Sequence, residues 1–163
     1  MAQLTIIRHG ETEWSRAGRH TGRTDVPLTP AGEEQARAAG KLVADGEFGL
    51  VLVSPLRRAR DTAALAALPD PVSEPDLMEW DYGGYEADVG ARVDRVLDRV
   101  RPVLAGGEDV ALVAHGHVLR ILTARWLGLP PSDGRLFALA TAGVSTLGFE
   151  HEQPVMTGWN QHR

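Results

Sequence analysis

Apolar residues along this chain come in short bursts separated by longer stretches of helical spacing. Leu4 to Ile7, Leu50 to Val53 and Val110 to Ala114 are continuous apolar or β-branched runs, and each is followed by a segment with helical periodicity. That alternation predicts βαβ units and a mostly parallel sheet buried on both faces by its crossover helices. The first helix starts with Thr29 as N-cap and Pro30 at the first helical position, and turns Ala36, Ala39, Gly40 and Val43 to one side. A second covers about Leu56 to Leu68. A third spans Val89 to Leu104, with Val89, Val93, Val96, Leu97 and Val100 opposite Arg92, Arg95, Asp98 and Arg99, and Pro102 is expected to kink or end it. A fourth opens at Gly116, carries Leu119, Leu122 and Trp126, and stops at Gly128 with Pro130 just beyond. Ser145 to Phe149 and Val155 to Trp159 read as two further strands, an antiparallel hairpin at the sheet edge. The expected fold is an α/β three-layer sandwich, a mostly parallel central sheet with helices on both faces.

In open sheets of this kind a ligand crevice lies beyond the carboxyl ends of the strands. The rule gathers Arg8, His9, Ser54, His115 and Gly116 at one rim, because each follows or ends an apolar run. Polar groups at those positions sit at the edge of the crevice rather than in the core.

Composition narrows what such a crevice holds. A length of 163 residues suits one domain, residues 1–163, with no compositional break that marks a linker. The net charge of −5 argues against a nucleic-acid or membrane-surface partner, so any anion site is local. No cysteine is present, which removes disulfides, thiolate nucleophiles and cysteine metal sites together. Charged Arg8 and Glu11 interrupt the N-terminus too early for a signal peptide, and no apolar run is long enough to span a membrane, so a cytoplasmic location is expected.

His9 follows Arg8 and precedes Gly10, and His115 repeats the arrangement on another strand. Two histidines and an arginine at a rim edged by helix starts suit a phosphate dianion. "SPLRRARDTA" adds Arg57, Arg58 and Arg60 after the second strand; arginine is the usual base here, Lys41 being the sole lysine. A solvated helix face is the plain alternative, and spacing alone does not choose between Arg57 and Arg58. "DLMEWDYGGYEA" offers Glu79, Asp81 and Glu86, either as a solvated turn or as a general acid whose pKa is raised by aromatic neighbours and a bound phosphate. His115 and His117 form an H-x-H pair, but no further ligand spacing accompanies it, so no metal site is expected.

Taken together, "RHGETEW", "HTGRTDVPLT", "SPLRRARDTA", "MEWDYGGYEA" and "VAHGHVLR" resemble the histidine phosphatase superfamily, also called phosphoglycerate mutase-like. They fall in that family's order from Leu4 to about Phe149. The wording is most similar to the bacterial acid phosphatase and sugar bisphosphatase branch. The resemblance implies a metal-independent hydrolase of small phosphate esters that needs no cofactor. It assigns the nucleophile to His9, the phosphoryl oxygens to Arg8, Arg58 and His115, and the proton on the leaving oxygen to Glu79. Arg58 is chosen over Arg57 because the family's arginine directly precedes an alanine. Ser15, Thr21, Gly22 and His117 are expected to contact substrate. On this reading a protonated His115 with Arg8 and Arg58 keeps His9 neutral, while Glu79 holds its proton.

Two departures from the family pattern stand out. Many members place Asn where Ser15 stands, and most carry a long helical segment that this chain lacks near Ala87 and Asp88. The competing functions are a phosphoglycerate mutase, which the missing segment disfavours, and a non-catalytic phospholigand-binding module. Oligomeric state and physiological substrate are not legible at this level.

Overall fold

The computed structural model describes residues 1–81 and 86–162, with all side chains there except those of Glu86 and Ala87. The elements run β1 (Leu4–Arg8), α1 (Glu13–Arg16), α2 (Pro30–Leu42), β2 (Phe48–Val53), α3 (Arg57–Leu65), β3 (Val72–Ser73), α4 (Glu86–Ala105), β4 (Asp109–Ala114), α5 (Gly116–Trp126), β5 (Val144–Glu150) and β6 (Gln153–Gln161). The sheet order is β3-β2-β4-β1-β5-β6, with the first four strands parallel, β5 antiparallel to β1, and β6 antiparallel to β5. It is a mixed sheet whose antiparallel part is the expected edge hairpin.

Side-chain alternation along the central strands sets the layers. Leu4 and Ile6 of β1 join Val110, Leu112 and Ala114 of β4 under α4 and α5, where Val93, Leu97, Leu119 and Trp126 complete one core. Ile7, Ala111 and Val113 face the other way, onto Ala39 of α2 and Ala59 and Ala63 of α3. Helices therefore cover both faces, the large side chains filling one side and small ones allowing close helix approach on the other.

Thr29 caps α2 as its sequence suggests, accepting a hydrogen bond from the N–H of Gly32 with Pro30 next in line. Gly128, at φ +80°, follows the end of α5. Pro102 does not end α4, which continues to Ala105. So near the C-terminus the missing N–H leaves one carbonyl without its partner, a smaller loss than in mid-helix. β3 and α1 were not anticipated: the first is a two-residue exposed strand, the second a single turn held by a reciprocal cap between Thr12 and Ser15. Among the described residues no helix is long and apolar enough to cross a membrane.

Strand register delivers the rim residues side by side. Arg8 pairs with Ala114 and Val53 with Val113, so His9, Ser54 and His115 leave adjacent strands at the same level. The loop after β1 then lies directly on the start of α2. A Cβ on Gly10 would stand 2.3 Å from the Gly32 carbonyl oxygen, and one on Gly32 would stand 2.1 Å from that of Glu11. Because both obstacles are backbone, Gly10→Ala is expected to destabilise the fold by about 2–3 kcal/mol. A thermal melt should register this as a drop of about 4–10 °C; an unchanged melting temperature would mean that the loop does not rest on α2 in this way.

Candidate active site

His9 is 4% exposed, at the floor of a cavity of about 270 Å³. Its Nδ1 lies 2.7 Å from the Gly10 carbonyl oxygen. A carbonyl only accepts, so Nδ1 carries the proton and Nε2 keeps its lone pair. Burial, then the charges of Arg8 and Arg58, push the His9 pKa down to about 3. The ring is a neutral base over most of the pH range.

The two arginines are pinned by carbonyls. Arg58 is fully buried and donates Nη1 to Thr24 O at 2.7 Å and Nη2 to Gly22 O at 2.6 Å; Arg8 donates Nη1 to Leu139 O at 2.6 Å. Each keeps a buried Nε without a hydrogen-bond partner among the described residues. An unmet buried donor costs about 1–3 kcal/mol. Arg57, by contrast, is exposed and paired with Asp61 at 3.1 Å. The inward arginine of this pair is Arg58.

His115 stands beside His9 with ring centroids 5.2 Å apart, and its Nε2 lies 2.7 Å from Ser54 Oγ. It is fully buried, and burial together with the neighbouring His9 drives its pKa well below the ordinary histidine value. A neutral His115 replaces the protonated one that the sequence reading expected, since burial, the adjacent His9 and then the charges of Arg58 and Arg8 all disfavour another cation at that position.

Glu79 overturns a second expectation. Its Oε1 accepts from the N–H groups of Trp80 and Val118, each at 3.0 Å, and its Oε2 from that of His117 at 3.2 Å. Burial by itself would raise the pKa, but the side-chain contact with His117, the electrostatic influence of the neighbouring His115 and His117, and the Trp80 N–H together outweigh it and hold the carboxyl well below its usual range. Two of the three donors belong to the first turn of α5, where the helix dipole also favours an anion. Glu79 is thus a carboxylate in the free site rather than a proton carrier.

These three groups share one consequence for stability. Unfolding would return His9 and His115 to ordinary histidine affinity for protons and Glu79 to ordinary carboxylate affinity, so the unfolded chain binds more protons in acid. Stability is complete above about pH 6.5 and falls as pH drops through the histidine and then the carboxylate range. Melting temperature is expected to decline steadily from pH 7 to pH 4. A flat profile over that window would mean that His9 and His115 charge freely in the folded state.

The remaining sequence candidates divide. Ser15, Thr21 and His117 line the cavity. The Ser15 hydroxyl is engaged with Thr12, accepting its N–H at 2.8 Å. Gly22 does not line it; in the left-handed region at φ +54°, it offers the carbonyl that holds Arg58. Asp81 is exposed, and Tyr82 and the Glu86 side chain lie outside the described residues. The Ala87–Asp88 junction falls in the first turn of α4. Among the described residues no three His, Asp or Glu side chains gather in a way that would hold a metal ion. Arg19, His20 and Arg120 also line the cavity and were not singled out from the sequence. A signal for Arg120 existed: it follows His117 by three residues, and so shares its face of α5.

The site therefore sets a neutral histidine with a free Nε2 lone pair beside two buried guanidinium groups. The chain matches the model of the histidine phosphatase superfamily (branch 1) over residues 4–88 and 86–162, and it belongs to that superfamily. It is 39% identical over 177 aligned residues to an acid phosphatase of Mycobacterium tuberculosis, an alignment covering 91% of this chain and 87% of the relative. Sedoheptulose 1,7-bisphosphatase of Saccharomyces cerevisiae is 30% identical over 76% of this chain and 67% of its own length. Among solved structures, a Mycobacterium tuberculosis open reading frame product superposes with a TM-score of 0.92 at 35% identity, covering 99% of this chain and 98% of that one.

Proposed function

We propose that the chain is a phosphomonoesterase that hydrolyses small phosphorylated metabolites in two steps, through a phosphohistidine on His9. The observation that carries this reading is the His9 tautomer, with its Nε2 lone pair free and the buried Nε groups of Arg8 and Arg58 unpaired nearby. In the first step Nε2 attacks phosphorus, the bond to the ester oxygen breaks, and Glu79 protonates the departing alcohol. Arg8 and Arg58, with His115 as a neutral donor, hold the equatorial oxygens as charge gathers there. In the second, Glu79 takes a proton from water, the oxygen attacks phosphorus, the P–N bond breaks to restore the lone pair, and Glu79 passes its proton to the departing phosphate.

The ionised state of Glu79 in the free site decides where the first proton comes from. A phosphomonoester whose second ionisation lies near pH 6 binds as its monoanion, and Glu79 relays that proton from phosphoryl to leaving oxygen. The balance closes: the ester monoanion and water give alcohol and dihydrogen phosphate. This chemistry belongs on the acid side of neutrality, in keeping with the acid phosphatase among the relatives.

Only residues 80–85 separate Glu79 from α4, which leaves little chain to roof the cavity and favours entry of water over the closed pocket of a mutase. The test is release of inorganic phosphate from p-nitrophenyl phosphate and from a panel of phosphorylated metabolites in excess EDTA. Turnover that survives chelation is expected. Interconversion of 3- and 2-phosphoglycerate without phosphate release would point to a mutase, and no turnover on any ester to a binding module.

A further inference from the structure

Arg92, Arg95 and Arg99 lie on the side of α4 away from its apolar stripe, where helical spacing alone would leave them to solvent. In the fold all three reach across to the short segment that leads into Glu79. Arg99 donates Nη1 to Glu74 Oε1 at 3.1 Å, and Arg95 grips the Asp76 carboxylate with Nε and Nη2, each at 3.0 Å. Arg92 is bonded differently. A single nitrogen, Nη1, donates to two backbone carbonyls, those of Asp76 and Met78, each at 2.8 Å. Arg92 is half-buried and does not line the catalytic cavity.

The Met78 oxygen belongs to the same planar peptide unit as the Glu79 N–H, so holding it fixes the direction in which the Glu79 Cα leaves that plane. Between the two held carbonyls, Leu77 is fully buried in the core that α4 covers. Beyond Glu79, His20 donates Nε2 to the Trp80 carbonyl at 3.0 Å. The backbone is thus tied down on both sides of the acid. Bonds from the Trp80, His117 and Val118 N–H groups set where the carboxylate ends, and the bonds from Arg92 set where the side chain begins.

We propose that Arg92 is a positioning residue for proton transfer, acting through the Asp76 and Met78 carbonyls to hold Glu79 within reach of the leaving oxygen. It does so without touching substrate. The proposal rests on the phosphatase reading above and adds a residue to it. Proton transfer demands close placement, and a displacement of about 1 Å at a reacting group costs on the order of 10²-fold in rate.

The test variant is Arg92→Met, which keeps an apolar stem and removes both donated bonds. On glycerol 3-phosphate, whose alkoxide needs a proton to leave, kcat is expected to fall by about 10- to 100-fold. On p-nitrophenyl phosphate, whose phenolate leaves without one, the loss should stay below about threefold, with KM little changed on either ester. Arg92→Lys, which returns a donor to the carbonyls, should recover most of the lost rate. Arg95→Gln serves as the control for general loosening: it breaks an exposed bridge to the same segment, and both rates should stay within about twofold. In a Glu79→Gln background, Arg92→Met should add little further loss, because the two act as a unit. Equal losses on both esters, a loss that multiplies with that of Glu79→Gln, or unchanged rates would each overturn the proposal, in a variant whose circular dichroism is native. If Arg92→Met does not fold, Arg92→Lys is judged by the same comparison: a loss confined to glycerol 3-phosphate supports the proposal, and an equal loss or none overturns it. Release of phosphate from p-nitrophenyl phosphate alone by the unmodified protein would show that no acid serves the alkoxide, overturning the proposal and leaving the phosphatase reading in place. Absence of release from both esters would instead overturn that reading itself.

Discussion

Replacing His9 by alanine is expected to lower kcat on p-nitrophenyl phosphate by about 10⁴-fold or more. In the proposed mechanism the imidazole forms the bond to phosphorus, and among the described residues no other nucleophile stands ready: His115 is turned to Ser54, and Glu79 is engaged by three backbone N–H groups. Binding should survive, because Arg8 and Arg58 keep their carbonyl partners and their unpaired Nε groups. Titration calorimetry with inorganic phosphate separates these effects, with turnover lost and phosphate affinity kept within about an order of magnitude. Retention of even a tenth of the activity would mean that water attacks the ester directly. The substitution leaves the Gly10 carbonyl without its donor, so a circular dichroism spectrum must accompany the rates.

Glu79→Gln carries the second largest effect, and its size should depend on the alcohol released. Glycerol 3-phosphate expels a strongly basic alkoxide that must be protonated as it departs, so a loss of about 10²–10⁴-fold is expected there. p-Nitrophenolate leaves readily without a proton, and the loss on p-nitrophenyl phosphate should be far smaller. An equal loss on both esters would show that Glu79 matters for positioning α5 rather than for proton transfer. The same relay shapes the pH profile of the unmodified protein. His9 is the free base above about pH 3. The ester monoanion is depleted above about pH 6. The profile of kcat/KM should therefore crest between these values, and a crest above pH 9 would contradict the assigned roles.

Local patterning was enough to read the frame. Apolar runs ending in Arg8, Val53 and Ala114 announced the central strands, and their common end put His9, Ser54 and His115 at one rim. Thr29 with Pro30 marked the start of α2 because an N-cap is a local event. β3 escaped notice because Val72 and Ser73 are a strand only through their pairing with Leu52 and Val53. The inward turn of Arg58 rather than Arg57 was supplied by family resemblance. Its physical basis, the Gly22 and Thr24 carbonyls, lies some 35 residues away in the chain.

Protonation states were the least legible part. A glutamate among aromatic residues and beside a bound phosphate suggested a raised pKa, but donors at His117 and Val118 are brought in by the fold. His115 was expected to carry charge as one of several cations around a phosphate. In the folded site, burial beside His9 and two fixed arginines makes the neutral form the stable one. Arg19, His20 and Arg120 reach the cavity from segments whose motif importance had been assigned to Thr21 and His117 instead.

The central claim is a covalent bond between phosphorus and His9. Rapid mixing of the protein with a ³²P-labelled phosphomonoester, quenching in alkali and mapping the labelled peptide test it most directly. Label on the peptide containing His9, stable in base, released in acid and lost in His9→Ala, is the predicted result. Phosphate release with no trapped label at any time, or label on another side chain, would contradict it.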